Sequence, residues 1–292
     1  MQFHCIKGDS PLSEGGRGFP LASGEMTLLD TDPAWIDLEG AVNARDVGGL
    51  PLSDGGTVPA GRLLRSDNLQ DLTPSDVERL VADHGLRRVV DLRTGVEVAR
   101  EGDGPLIGDA RVTVEHRSLY PEVGDMTDLE VDAIVPWQRG VTGSPLPGET
   151  PTVQTYMGYL EHRPDSVVAA LETVADPGAE GGAVLVHCAA GKDRTGLVVA
   201  FALEVAGVSR DAVVADYVAT GQRIDGIVAR LAASPTYARD MHVHDPSAHA
   251  PRAASMERIL ALLDERHGGA GGWLRDHGMD AGALQALRAR LT

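Results

Sequence analysis

The chain has 292 residues, of which 42% are apolar and 24% charged, the balance of an ordinary folded protein rather than a disordered one. Its longest unbroken apolar run, residues 197–203, falls far short of the roughly 20 residues that span a bilayer, so no integral membrane association is expected. Asp and Glu outnumber Lys and Arg by 43 to 26, a net charge of −17, which repels polyanions and argues against nucleic acid as a partner.

The two cysteines are Cys5 and Cys188. Cys5 falls within residues 1–25, which are rich in Gly, Pro and Ser and lack the basic-flanked apolar stretch of a signal peptide. This segment is read as a flexible extension, with a single domain over residues 26–292. No disulfide framework is expected, the default location is a reducing cytoplasm with export by a signal-less route as the alternative, and the oligomeric state is left open.

Thr73-Pro74-Ser75-Asp76 opens a helix: Thr73 caps, Pro74 suits the first turn and Asp76 favours the positive end of the dipole. Val77, Leu80 and Val81 form its apolar face and Gly85 ends it. Residues 88–92 read as a strand and 111–119 as a second one. Residues 121–150, rich in Pro, Gly and acidic side chains, form a long loop, of a length that is usually functional or disordered. Thr150-Pro151 starts the next helix, and Val167, Leu171 and Val174 mark another. Ala183-Val184-Leu185-Val186 is a buried-strand run. Residues 196–206 are apolar almost all round, as a helix packed centrally against a sheet requires. Further helical faces are carried by Val213, Val214, Tyr217 and Val218, by Met256, Ile259, Leu260 and Leu263, and by Leu284, Leu287 and Leu291. The architecture is α/β with a helical C-terminal half.

Chemistry concentrates in His187-Cys188-Ala189-Ala190-Gly191-Lys192-Asp193-Arg194-Thr195-Gly196. A bend between a strand's C-terminal end and a helix N-terminus turns successive backbone N–H groups into one concavity, and the helix dipole adds positive potential. Ala189, Ala190 and Gly191 are small enough to close around an oxyanion, and Arg194 offers a planar fork for two phosphate oxygens. The same field favours the thiolate of Cys188, a nucleophile that can accept a phosphoryl group. Thr195 is placed to hydrogen-bond the sulfur, His187 to orient the loop, and Lys192 to add positive charge at the rim. Asp193 is the leading general acid by position; Glu122, Asp125 and Asp128 of the long loop are the alternatives.

Residues 187–196 match a Cys-x5-Arg-Thr loop, and in the fuller form HCxxGKDRTG the sequence resembles the bacterial tyrosine-protein phosphatases, relatives of dual-specificity and phosphoinositide phosphatases. Asn43-Ala44-Arg45-Asp46-Val47-Gly48-Gly49, Arg65-Ser66-Asp67-Asn68-Leu69 and Asp91-Leu92-Arg93 resemble that family's N-terminal landmarks. Ala215-Asp216-Tyr217 and Gly271-Gly272-Trp273-Leu274-Arg275 resemble downstream ones. The resemblance implies one domain with a mostly parallel central sheet flanked by helices, with residues 221–252 as a possible lid. It also implies hydrolysis of a phosphorylated substrate through Cys188 without metal or other cofactor. Phosphotyrosine protein is the family's usual substrate. The sequence departs from the classical members in having no Trp-Pro-Asp acid motif, since Trp137 is followed by Gln138 and Arg139. An aromatic content of only 4% offers few flat partners for a phosphotyrosine ring. A small phosphorylated metabolite (a nucleotide, sugar phosphate or phosphoinositide) is therefore the alternative substrate.

Plainer readings stand beside these. A buried cysteine next to a core histidine would not need Gly191, Arg194 and Thr195 in the same turn. A nucleotide-binding loop fails because Asp193 stands where Ser or Thr is needed. A non-catalytic phosphate-binding module would have no use for the thiol, and sulfur transfer or arsenate reduction are further thiolate chemistries. The Arg45-Asp46 and Asp91-Leu92-Arg93 pairs are expected to be buried ion pairs that fix the fold. His242, His244 and His249, in a Pro-broken stretch, are expected to form a plain loop rather than a metal site.

Overall fold

The computed structural model describes residues 32–102, 104–121, 148–179, 181–238 and 245–292. The extension over residues 1–25, the loop acids Glu122, Asp125 and Asp128, Trp137, His242 and His244 lie outside the described residues.

One six-stranded sheet organises the chain: β1 (Ala34–Trp35), β2 (Arg45–Asp46), β3 (Leu63–Ser66), β4 (Leu86–Asp91), β5 (Thr113–His116) and β6 (Ala183–His187), in the order β1-β2-β3-β6-β4-β5. The β3–β6, β6–β4 and β4–β5 pairs are parallel, while β1 and β2 add an antiparallel edge. The expected mostly parallel α/β sheet is thus observed. Register places Ser66, His187 and Asp91 side by side. The C-terminal ends of three parallel strands therefore share one edge, where ligands of open α/β sheets are bound.

Strand pleating explains the two cores. Val184 and Val186 of β6 face one apolar cluster, with Val90, Leu197, Phe201 and Tyr217. Leu185 faces the other, with Leu64, Val89, Leu80 and Val81. Both faces are covered by apolar groups, so the run 183–186 is apolar without alternation.

Helix α1 (Pro74–Glu78) starts as its sequence predicts, with Thr73 and Asp76 exchanging capping bonds. Residues Arg79–Asp83 then widen into a π turn, closed by the His84 N–H on the Arg79 carbonyl at 3.2 Å. Gly85 follows at φ +65°. Helix α2 (Gly95–Glu101) was not anticipated. Helices α3 (Pro151–His162) and α4 (Pro164–Ala175) precede β6, and α5 (Asp193–Ala206) leaves it. The helix α5 is buried nearly all round, as its sequence requires. After it come α6 (Arg210–Ala219), α7 (Ile224–Ala233), a 3₁₀ turn (Pro246–His249), α8 (Ala253–His267), α9 (Ala270–Asp276) and α10 (Ala281–Leu291). Among the described residues after Pro151, β6 is the lone strand, and no helix is long and apolar enough to cross a membrane.

Candidate active site

The bend at residues 188–192 joins β6 to α5 at the shared strand edge. Cys188 and Ala189 are buried. Gly191 adopts φ +65°, and a Cβ there would lie 2.4 Å from the Ser66 carbonyl oxygen. No other residue fits that turn.

Three successive carbonyls of the bend are held from outside. The Ala189 oxygen accepts from the Asn68 N–H at 3.1 Å. The Ala190 oxygen accepts from Asn43 Nδ2 at 3.1 Å, and the Gly191 oxygen from Asn43 Nδ2 at 3.2 Å and Arg65 Nη2 at 2.8 Å. Each peptide is planar and trans, so the N–H groups of Ala190, Gly191 and Lys192 point the opposite way. Among the described residues none of the three meets an acceptor. Such a row of unspent donors is suited to an anion.

The supports are themselves fixed by one buried carboxylate. Asp216, from α6, accepts from Arg45 Nε at 2.9 Å and Arg65 Nη1 at 2.5 Å, and Arg45 Nη1 donates to Asn43 Oδ1 at 2.6 Å. Burial raises the cost of the Asp216 charge, but the two guanidiniums outweigh it and hold the carboxyl below its usual range. Burial, with Arg65 nearby, pushes Arg45 down to about 10, which still leaves it charged at neutral pH. The expected Arg45–Asp46 pair is not formed. Adjacent strand residues point to opposite faces, and Asp46 instead accepts from the N–H groups of Gly48 at 2.8 Å and Gly61 at 2.6 Å. The expected Asp91–Arg93 pair is present: Arg93 Nη2 donates to Asp91 Oδ2 at 2.6 Å.

Arg194, in the first turn of α5, is gripped at two points by Glu97 of α2. Nη1 donates to Oε2 at 2.7 Å and Nη2 to Oε1 at 3.0 Å. Its guanidinium carbon lies 5.5 Å from the Tyr120 ring centroid. Glu97 has no exposed surface. Burial alone would raise its carboxyl, yet the Arg194 charge and its hydrogen bonds hold it below the ordinary range. Glu97 escaped the sequence reading although Thr94-x-x-Glu97 is a capping box: the Thr94 N–H donates to Glu97 Oε2 at 2.5 Å and the Glu97 N–H to Thr94 Oγ1 at 3.1 Å.

Asp193 opens α5 and its side chain is a third exposed (33%). It accepts from the Tyr156 hydroxyl at 2.7 Å, and Lys192 Nζ lies 3.4 Å from its other oxygen. Lys192 also donates to the His249 carbonyl at 2.8 Å. His249 therefore contributes its backbone here. Among the described residues no group of three or more His, Cys, Asp or Glu is placed to hold a metal ion. His187 Nε2 stands 3.6 Å from Asp91 Oδ1, and burial pushes the imidazole down to about 4. It is neutral at pH 7. Among the described residues the buried Thr195 hydroxyl has no hydrogen-bond partner, so the expected bond to the Cys188 sulfur is not formed in this structure, and His187 Nδ1 likewise has none.

Aromatic scarcity in the whole chain does not carry over to this region. All five tyrosines, Tyr120, Tyr156, Tyr159, Tyr217 and Tyr237, are buried around it. Tyr156 reaches Asp193 and Tyr217, Tyr120 bonds Tyr159 at 2.7 Å and lies beside Arg194, and the Tyr237 hydroxyl donates to Glu97. A low total is compatible with a local concentration.

The family model of the tyrosine phosphatase family matches residues 36–292. The triple specificity protein phosphatase PtpB of Mycobacterium tuberculosis is 30% identical over 284 residues, covering 87% of this chain and 98% of that protein. A tyrosine-protein phosphatase of Nostoc commune is 27% identical over 246 residues, covering 80% of this chain and 75% of its own length. The match takes in every described element from β2 to α10, with the bend at 188–192 near its centre, and the chain belongs to the tyrosine phosphatase family.

Proposed function

We propose that the protein hydrolyses phosphomonoesters through a cysteinyl-phosphate on Cys188. The observation that carries this reading is the bend itself: a buried cysteine, three N–H groups that meet no acceptor among the described residues, and a guanidinium fixed two residues into the next helix.

In the first step the Cys188 thiolate attacks phosphorus in line, the S–P bond forms and the P–O bond to the leaving group breaks. The N–H groups of the bend, Ala189 through Lys192, and the Arg194 guanidinium meet the equatorial oxygens. Asp193 gives its proton to the departing oxygen, and Glu122, Asp125 and Asp128 of the 121–150 loop are the alternative donors. In the second step water attacks phosphorus, loses its proton to the same carboxylate, and the S–P bond breaks with the Thr195 hydroxyl donating to the sulfur. His187, neutral and buried, orients the loop without exchanging protons. Lys192 supplies charge at the rim.

The substrate assigned first is a phosphotyrosine protein, in keeping with the names of the relatives and the tyrosine-rich surroundings of the bend. A small phosphorylated metabolite is the second reading, favoured by the Lys192 ammonium at the rim beside Asp193, a positive charge that suits a second phosphate. The catalytic domain is taken as residues 26–292, with 1–25 as an extension. The free thiol suits a reducing compartment such as the cytoplasm. The decisive experiment is turnover of p-nitrophenyl phosphate by Cys188→Ser, expected to vanish, followed by kcat/KM on a panel of phosphopeptides and phosphorylated metabolites. Full activity of the serine variant would overturn the reading.

A further inference from the structure

The Glu97 carboxylate that grips Arg194 has another donor, and it comes from a distant part of the chain. Tyr237 lies in the turns that follow α7, is 4% exposed, and donates its hydroxyl to Glu97 Oε1. The same oxygen accepts from Arg194 Nη2, while Oε2 accepts from Arg194 Nη1 and the Thr94 N–H. Each carboxylate oxygen thus has two donors, one from Arg194 and one from the scaffold.

That division matters mechanically. A carboxylate–guanidinium fork is a flat, stiff raft, but the Thr94 amide on Oε2 and the Leu92 carbonyl, which accepts from Arg194 Nη1 at 3.3 Å, tether it along one side only, and it can still swing about that side. A second tether on the opposite oxygen removes the swing. Tyr237 is well anchored for this task. The segment before it is tied to the floor of the site through Arg230, whose Nε lies 3.1 Å from Asp67 Oδ2 and whose Nη2 donates to the Asn68 carbonyl at 2.9 Å. Asn68 in turn donates its N–H to the Ala189 carbonyl of the bend. The Ser234 hydroxyl bonds Glu101 on α2, the helix that carries Glu97.

We propose that Tyr237 is a positioning residue for the phosphatase reaction, its hydroxyl fixing Glu97 so that the Arg194 guanidinium is held in the plane that meets the phosphoryl oxygens. This assignment rests on the reading of Arg194 as the phosphoryl-binding group. It makes a mutual prediction: an oxyanion that engages Arg194 also steadies the Tyr237 segment, because coupling between two sites acts in both directions.

The test is a double-mutant cycle on p-nitrophenyl phosphate with Tyr237→Phe, Glu97→Gln and the pair, alongside Cys188→Ser. Tyr237→Phe keeps the buried ring and is expected to lower kcat about tenfold, with KM changed less than twofold, the scale of one lost hydrogen bond to a charged group. In the Glu97→Gln background the same change is expected to cost less than twofold. A purely structural tyrosine would give independent, multiplicative losses, and that result, or wild-type kcat in Tyr237→Phe, overturns the proposal. A second measurement uses the wild-type protein alone: amide hydrogen exchange over residues 234–238 should slow several-fold with saturating tungstate, and unchanged exchange counts equally against it. Retained turnover in Cys188→Ser would instead bring down the phosphatase reading and the Tyr237 assignment with it. A dead Cys188→Ser beside a fully active Tyr237→Phe removes the Tyr237 assignment alone.

Discussion

The Tyr156 hydroxyl donates to Asp193 Oδ1 over 2.7 Å, joining the middle of α3 to the first residue of α5 across 37 positions of sequence. Tyr156 is itself 2.8 Å from the Tyr217 hydroxyl, and burial, with the Asp193 charge beside it, pushes the Tyr156 phenol well above its ordinary value. The phenol therefore stays protonated and donates to the Asp193 carboxylate, while its oxygen can accept from Tyr217. The carboxylate is held in one orientation at the mouth of the bend.

That geometry makes the general acid testable through the leaving group. A good leaving group such as p-nitrophenolate departs without a proton, whereas an alkoxide does not. Asp193→Asn should lower kcat on an alkyl phosphate by about a hundredfold or more and on p-nitrophenyl phosphate by less than about tenfold. Steady-state kinetics on the two substrates decides it. Equal losses on both would move the acid to the 121–150 loop, with Glu122, Asp125 and Asp128 as the candidates.

A second prediction concerns the fork on Arg194. Lysine keeps the charge but has neither the planar fork for Glu97 nor the one for phosphate. Arg194→Lys should cut kcat/KM on p-nitrophenyl phosphate by about a thousandfold, in the range for lost oxyanion donors. The fold should survive, by circular dichroism. Retention of more than a tenth of the activity would show that the guanidinium geometry is dispensable.

Asp216 carries the third. It is the shared partner of Arg45 and Arg65, both fully buried. Asp216→Asn keeps the shape and leaves two guanidiniums in the interior without a counter-charge, at a cost of about 3–5 kcal/mol. The urea midpoint should fall accordingly. Activity below the transition should fall too, because Arg65 and Asn43 hold the Gly191 and Ala190 carbonyls. A midpoint shifted by less than about 1 kcal/mol would mean that water or a rearranged partner replaces the carboxylate.

These residues differ in how far the sequence discloses them. The bend at 188–192 is legible because a strand, a small-residue turn and a helix follow one another without interruption, so the chemistry needs no long-range information. Thr73 and Thr150-Pro151 are legible for the same reason: their capping partners lie three residues on. Arg45 is different. Its partner is 171 positions away, and nothing in the local pattern separates Asp216 from the adjacent Asp46. Helix α2 was missed because Gly95 opens it and its seven residues are too few to establish a period. The Thr94…Glu97 box was the available signal, and Glu97 then proves to serve twice, as the second half of a cap and as the grip on Arg194. The π turn after α1 has no sequence signature that patterning could detect.

The last prediction follows from the burial of His187, whose imidazole titrates in the folded protein at about 4 against 6.5 in the unfolded chain. Between those values the unfolded state binds more protons than the folded one, so stability rises with pH. The contribution is complete above about pH 6.5 and is lost progressively as pH falls toward 4, amounting to about 3 kcal/mol over the window. Asp91, which burial would raise but His187 and Arg93 hold below the usual carboxylate range, acts at lower pH. Its contribution is present above its unfolded value and disappears only as pH falls further. The two groups can therefore be separated. Urea unfolding at pH 7.0 and pH 4.5 should show a clear loss in the wild-type protein, and His187→Gln should flatten that difference, the Asp91 contribution changing only below that window. An identical pH slope in the variant would mean that the imidazole takes up a proton as readily in the folded chain as in the unfolded one, and with that the neutral, orienting role of His187 would fail.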